Sequence, residues 1–205
     1  MREYRTPNPT GVLIVIFVNV LVFIATSLKS DLIYDLHLVP DDFTSQPWTI
    51  VTSMFVHADL WHILGNMVTL YFFGTYLTML VGEKKFLAIY FLGGLLGAVF
   101  YMVVALYAPW SSPLDAHIGV IGASGAVFAV GGALAVLRPN LKVLLFFIIP
   151  MPLWVAVIGG FVLLTLISIS AGLSIAWEAH LGGLVVGLVA GFLLIKRKEK
   201  DRHLL

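Results

Sequence analysis

Long apolar segments, separated by short polar ones, run through almost the whole chain. Each of six segments is close to about 20 residues, the length a helix needs to cross the hydrocarbon core of a bilayer. The pattern therefore predicts six transmembrane helices, at about 11–28, 61–81, 86–107, 118–137, 153–168 and 175–195. The segment 141–152 before the fifth span contains Pro150 and Pro152, which disrupt a helix interior, so we expect it to lie at the membrane face.

The composition agrees with an integral membrane protein. Hydrophobic residues make up 60% of the chain and charged residues 11%, whereas soluble domains average about 25% charged residues. Six spans and their connections occupy the 205 residues, which predicts one membrane domain over 1–205. The chain contains no cysteine, which excludes disulfides and thiolate metal sites.

Lysine and arginine are distributed unevenly between alternate connections. If the N-terminus lies inside, 11 of the 12 Lys and Arg residues face the cytoplasm and Lys29 alone faces outward. The positive-inside rule therefore predicts that both termini are cytoplasmic. It also orients the second, fourth and sixth spans so that each enters the membrane from the outer side.

Polar residues occur near the outer ends of these three spans. Ser124 is predicted about two turns into the fourth span and His180 about one to two turns into the sixth, roughly 5–10 Å below the outer surface. His62 and Asn66 begin the second span. Polar groups inside a membrane are costly, and their default interpretation is functional. Because three separate spans bring such groups to one depth, we predict that they form a site.

Ser124 and His180 are the residue types that nucleophilic catalysis requires. A serine hydroxyl becomes an effective nucleophile when an adjacent base takes its proton, and histidine is the usual base. Glu178 is two residues before His180 and so on another side of the helix, which favours a dyad over a triad. We expect Phe128, one turn after Ser124, to hold the imidazole by stacking.

Acyl transfer also needs hydrogen-bond donors directed at the developing oxyanion. His62 and Asn66 are spaced i, i+4 and therefore share a helix face. The backbone N–H of Ser124, near a helix N-terminus, would be a third donor. Gly122 and Gly125 would let another backbone or a substrate carbonyl approach closely.

Each of these features also has a purely structural interpretation. A single serine in a transmembrane helix usually bonds to its own helix, and a single histidine or asparagine often joins two helices. Gly183, Gly187 and Gly191 are spaced by four and predict a stripe for close helix packing, as do Gly93 and Gly97. The agreement in depth favours function for the polar residues, and the spacing favours packing for the glycines.

Three motifs resemble those of the rhomboid intramembrane serine proteases, and the resemblance covers nearly the whole chain. They are His62–Asn66 for the HxxxN motif, Gly122–Ala126 for the GASGA-type nucleophile motif and Ala179–Gly183 for the histidine motif of the last helix. The resemblance implies an all-α, six-helix membrane bundle that acts without cofactor or metal. It implies that Ser124 is the nucleophile, that His180 is the general base, and that His62, Asn66 and the Ser124 amide stabilise the oxyanion.

The chain departs from the family pattern at two positions. Rhomboids commonly carry Trp-Arg in the first outer loop, where this chain has Trp48-Thr49. They also commonly carry a GxxxExxxG segment, in which this chain has Thr78 in place of the glutamate. Both charged groups belong to a network around the first loop and not to the chemistry. His57, five residues before His62 in a predicted loop, is assigned at most a supporting role.

The leading hypothesis is a serine endopeptidase that cleaves transmembrane segments near the outer membrane face. Two alternatives from other classes stay open: a catalytically inactive rhomboid-like protein that binds membrane clients, and a small transporter whose polar residues line a solute path. The expected partners are single-span membrane proteins and the lipid bilayer, with no nucleic acid. Short loops favour a prokaryotic cell membrane, with the site on the extracytoplasmic side.

A helical substrate has to reach Ser124 sideways through the lipid, so one wall of the bundle must move. We expect the fifth span to be that wall, because Pro150 and Pro152 interrupt its inner end. The loop 170–174 that leads to the sixth span contains small residues suited to a lid.

Overall fold

The protein is a polytopic helical membrane protein, as predicted. A computed structural model describes residues 9–112, 114–145, 148–171 and 176–203. The helices in this part of the chain are α1 (Thr10–Leu28), α2 (Leu32–Leu36), α3 (Thr49–Thr52), α4 (Leu60–Val81), α5 (Glu83–Tyr107), α6 (Ser124–Leu137), α7 (Leu153–Ala171) and α8 (Trp177–His203). Two strands, β1 (Lys142–Leu145) and β2 (Ile149–Pro152), form an antiparallel hairpin.

Five of the predicted spans are helices long and apolar enough to cross a membrane: α1, α4, α5, α7 and α8. The fifth span begins at Leu153, directly after the prolines of β2, as predicted. The sixth candidate span, Trp177–Arg197, agrees closely with the prediction. Helix α8 continues beyond this span to His203, because the Lys, Arg and Glu residues there are good helix formers. Of the loop 170–174 expected to act as a lid, residues 170 and 171 are the last two of helix α7, so the prediction of a loop is wrong there, and residues 172–174 lie outside the described residues.

The fourth span is shorter than predicted. Helix α6 has 14 residues and begins at Ser124, so the prediction that it starts near 118, with Ser124 two turns inside, is wrong. The preceding segment is extended: Val120 forms a β-bridge with Leu38, and the Gly122 N–H donates to the Ser53 carbonyl at 2.9 Å. Gly122 then adopts a φ of 119°, which glycine tolerates and other residues rarely do, and the helix starts two residues later.

Helix α6 lies at the centre of the bundle, and small residues let its neighbours approach it. Ten of its 14 residues are buried. A Cβ added at Gly93 of α5 would collide with the Ala129 side chain, and one at Gly97 would lie 2.6 Å from the Ala179 carbonyl. The prediction that Gly93 and Gly97 serve close packing is therefore confirmed.

Backbone and side-chain hydrogen bonds hold the first outer loop in place. The Trp48 indole donates to the Asp35 carbonyl and the Thr52 hydroxyl to the Leu36 carbonyl, both at 2.9 Å. The Leu38–Val120 bridge ties the same loop to the segment before α6. The hydroxyl of Thr78, in contrast, is buried without a hydrogen-bond partner among the described residues. The loop is thus anchored from within its own segment and by the bridge.

Candidate active site

Ser124 is the first residue of α6, and the chain conformation before it is unusual. Ala123 precedes it as the N-cap, after the positive φ of Gly122. Backbone N–H groups in the first turn of a helix have no partner within that helix, so the N–H of Ser124 is left for an acceptor outside it. The same terminus carries the positive end of the helix dipole. A developing negative charge beside Ser124 would therefore be stabilised.

The structure brings Ser124 and His180 into direct contact. The Ser124 hydroxyl lies 2.6 Å from Nε2 of His180, across 56 residues of sequence. His180 is in the first turn of α8 and is 7% exposed. The Phe128 ring lies against the imidazole, with ring centroids 4.9 Å apart and an interplanar angle of 37°. The imidazole is thus held between the hydroxyl and an aromatic ring.

The distance between these two residues depends on how closely α6 and α8 approach. A Cβ added at Gly183 would collide with the Gly125 carbonyl, and one at Gly187 with the Ala129 carbonyl. One added at Gly125 would lie 3.1 Å from the Ala179 carbonyl, next to His180. Only glycine permits this backbone contact. The prediction that the α8 glycines form a packing stripe is confirmed, and the stripe also sets the position of His180.

His62 reaches the Gly122–Ser124 turn from α4. Its backbone N–H is capped by the Asp59 carboxylate at 2.9 Å, and a Cβ placed on Gly122 would lie 2.7 Å from Nε2 of its ring. The other ring nitrogen, Nδ1, accepts the N–H of Ala58 at 3.4 Å. Because Nδ1 is an acceptor, a neutral His62 carries its proton on Nε2. The N–H of the ring therefore faces the turn that precedes Ser124.

Asn66 lies one turn deeper than His62 on the same helix. Its side chain is 7% exposed, and its amide donates to the His62 carbonyl at 3.0 Å. One of its two amide protons is thus used within α4, and the second has no acceptor among the described residues. The structure therefore brings together Ser124, His180, His62, Phe128 and Gly122, with Asn66 behind His62.

His57 is the residue near the site that the sequence analysis underweighted. It lies in the loop before α4, as predicted, but is 1% exposed, and its ring packs edge-on against His62 with centroids 4.9 Å apart. Burial, and secondly the proximity of His62, lower the pKa of His57 to about 4. Its Nδ1 lies 3.3 Å from the Phe55 carbonyl. The five-residue spacing to His62 gives no helical or strand periodicity that would reveal this contact.

Known metal-site patterns do not occur here: among the described residues, no group of three or more His, Asp or Glu side chains could hold a metal ion. A transition-metal site needs several such side chains at bonding distance.

Comparisons with known proteins point to one family. The family model described as Rhomboid domain matches residues 44–197. The chain is 33% identical over 172 residues to Rhomboid protein 1, mitochondrial, of Saccharomyces cerevisiae, covering 81% of this chain and 47% of that protein. It is 28% identical over 159 residues to the putative rhomboid protease YdcA of Bacillus subtilis, covering 75% of this chain and 70% of that protein.

A further relative differs in its stated activity. Inactive RHOMBOID-like protein 8 of Arabidopsis thaliana is 36% identical over 76 residues, which cover 37% of this chain and 22% of that protein. The chain also spans about half the length of the yeast relative it matches. Similarity to these proteins thus identifies the domain and does not by itself establish its activity.

Proposed function

This chain belongs to the rhomboid family, and from that premise we propose that it is a serine endopeptidase that cleaves the transmembrane segments of single-span membrane proteins. The observation that carries the proposal is the 2.6 Å contact between the Ser124 hydroxyl and Nε2 of His180. Neither a catalytically inactive client-binding protein nor a transporter has need of a serine hydroxyl bonded to an imidazole.

The proposed reaction is acyl transfer in two steps. His180 takes the proton of the Ser124 hydroxyl while the oxygen attacks the substrate carbonyl, and the imidazolium then donates that proton to the leaving amine. A water molecule, deprotonated by His180, hydrolyses the acyl-enzyme and restores the free serine. Phe128 would keep the imidazole in place through the ring contact described above. No cofactor takes part in this scheme.

Three donors are proposed to stabilise the oxyanion: the Ser124 N–H, the Nε2–H of His62 and the free amide proton of Asn66. The contact of the Ala58 N–H with Nδ1 supports the His62 assignment, because it favours the tautomer with the proton on Nε2. The Asp59 cap fixes the backbone of His62 at the start of α4. Preorganised donors of this kind act where charge develops and cost no rearrangement during the reaction. Gly122 and Gly125 would leave room for the substrate carbonyl.

We propose that both termini are cytoplasmic, that 1–205 forms one membrane domain, and that the site opens toward the extracytoplasmic side of a prokaryotic cell membrane. The Lys and Arg distribution supports the orientation. One relative is bacterial, which agrees with a prokaryotic cell membrane, and another is named mitochondrial, which does not. Localisation of a tagged protein in a bacterial host tests whether the chain enters that membrane.

A cleavage assay tests the activity directly. Purified protein in proteoliposomes would be incubated with a panel of single-span membrane proteins, beside the Ser124→Ala variant prepared in parallel. Products that appear with the native protein and not with the variant support the proposal. Cleavage by both preparations, or by neither across a broad panel, would refute it.

A further inference from the structure

The connection between α6 and α7 is the β1–β2 hairpin, and on one of its faces the described side chains of β1 are exposed. Val143 is half-buried and packs on the core, and the carbonyl of Leu141 accepts the Leu153 N–H at 2.7 Å, so the hairpin is fixed to the start of α7. Lys142 and Leu144 alternate with Val143 and are exposed. The hairpin therefore has a protein-facing side and an outer side.

The outer edge of β2 carries no N–H donor. The strand register pairs Pro150 with Leu144 and Pro152 with Lys142. Proline has no N–H, so these two pairs occupy the non-hydrogen-bonded positions of the ladder, where backbone groups point outward. The edge thus presents carbonyls alone, which water and lipid headgroups can satisfy, and it cannot receive a further strand in regular pairing.

Exposed apolar and basic side chains occur together on the hairpin and its flanks. Ile148 is 78% exposed, Leu144 57% and Ile149 52%. Arg138 and Lys142 are also exposed, and neither has a carboxylate partner within 4.0 Å among the described residues. Because α6 ends at Leu137 and α7 begins directly after β2, all of these side chains lie where two membrane helices reach the same membrane face.

We propose that the hairpin lies in the headgroup layer of the bilayer and binds anionic phospholipids. Leu144 and Ile148 insert among the upper acyl chains, and Arg138 and Lys142 contact lipid phosphates. A lipid leaflet is favoured over a protein partner because Trp154, at the start of the adjoining span α7, is also exposed and because the β2 edge cannot be extended by another strand. An interfacial position also satisfies the outward carbonyls, which the hydrocarbon core would leave unpaired. The proposal does not depend on protease activity.

Depth measurements test the position of the hairpin. A single cysteine replaces Ile148 in this cysteine-free chain, is labelled with an environment-sensitive fluorophore, and is reconstituted in nanodiscs containing lipids with a nitroxide on the upper acyl chain. We expect strong quenching at 148. The matched control is Ser45→Cys, on an exposed polar loop, and should be quenched little. A probe at 148 that is quenched no more than the control would overturn the proposal.

The choice of lipid is tested with the same probe. Nitroxide-labelled phosphatidylglycerol should be enriched around position 148 over labelled phosphatidylcholine, by about fivefold for each of the two basic residues at low salt. The Arg138→Gln/Lys142→Gln variant should lose this enrichment. The Lys196→Gln/Arg197→Gln variant removes the same charge at the end of α8 and should retain it. Equal enrichment of phosphatidylglycerol in the two variants would contradict a specific role for the hairpin. Quenching by the nitroxide on the acyl chain serves as the folding control, because a variant that retains it still places the hairpin in the bilayer.

Discussion

The interface between α6 and α8, called the α6–α8 seam below, and helix α7 are both apolar and both contain glycine, but they pack in opposite ways. In the seam, a Cβ on Gly183 or Gly187 would collide with a backbone carbonyl of α6. In α7, a Cβ on Gly159 or Gly160 would meet no atom within 4 Å. Only 17% of the α7 span is buried within the protein, against 50% of the α5 span. Glycine therefore has a packing role in one region and none in the other.

This difference separates a fixed part of the site from a part that can move. The seam sets the Ser124–His180 distance through backbone contacts that cannot relax, which is the preorganisation that catalysis requires. Helix α7 meets the site chiefly through Phe161, whose ring lies edge-on to Phe128 with centroids 6.0 Å apart. Sparse packing is typical of elements that open locally. We therefore propose α7 as the wall that yields to substrate.

The largest effect is expected from chemical changes in the seam that leave its packing intact. Ser124→Ala and His180→Ala should each abolish cleavage, a loss on the order of 10⁶-fold in turnover, because the nucleophile and its base act as a unit. Turnover of a transmembrane substrate in proteoliposomes is the measurement. The thermal unfolding temperature of Ser124→Ala should stay close to that of the native protein. Full activity in His180→Ala would rule out the proposed dyad.

Fixing the movable wall should have the next largest effect. Two cysteines, one near the outer end of α4 and one near the outer end of α7, would be oxidised to a cross-link in this cysteine-free chain. Cleavage of transmembrane substrates should then stop and return on reduction, because a helical substrate can no longer pass between these helices. Each single-cysteine variant, treated with the same oxidant, is the control. Native rates in the fully cross-linked enzyme would exclude substrate entry between α4 and α7.

A smaller loss of turnover should follow from removing one proposed oxyanion donor in the fixed part of the site. Asn66→Ala should lower turnover with little change in KM, since the donor acts in the transition state. The loss should fall below the about 2.7–4 kcal/mol found for a principal donor, because His62 and the Ser124 amide remain. Kinetics of the single and double variants at 62 and 66 provide the measurement. A double variant with native turnover would show that neither residue stabilises the oxyanion.

The fold could be predicted from local signals, namely hydrophobic length and helix spacing. The contact of Ser124 with His180 joins distant parts of the chain, and it could be predicted because two short motifs resemble those of one family. The start of α6 could not, since it depends on contacts of Gly122 with Ser53 and of Val120 with Leu38, distant in sequence. The burial of His57 likewise arises from tertiary packing. Hydropathy also cannot distinguish α7 from α5, although one is sparsely and the other densely packed.

Stability measurements should sharpen the comparison between the two sets of glycines. Gly187→Ala forces a methyl group against the Ala129 carbonyl and should lower the free energy of unfolding by about 1–3 kcal/mol, the usual cost of overpacking. Gly159→Ala makes the same chemical change in open space. It should leave stability unchanged or raise it by up to about 1 kcal/mol through better helix propensity. Equal destabilisation by both substitutions in a denaturant titration would contradict the contrast.

The smallest expected effect is a loss of stability in acid that arises in the fixed part of the site and not in α7. Helix α7 contains no titratable side chain, whereas His57 is buried beside His62. Burial and the nearby His62 lower the pKa of His57 from 6.5 to about 4, so unfolding lets this residue take up a proton that the folded protein refuses. Its contribution to stability is therefore present above pH 6.5 and is lost as the pH falls toward 4.

His57→Gln, in a Ser124→Ala background that cannot digest itself, should lose less stability over this range. Gly159→Ala in the same background should keep the native pH slope. Thermal unfolding at a series of pH values measures both, and a His57→Gln slope equal to the native one would exclude His57 as the source of acid sensitivity. At neutral pH His57→Gln should impair cleavage less than either dyad substitution, since His57 touches His62 and not the reacting hydroxyl.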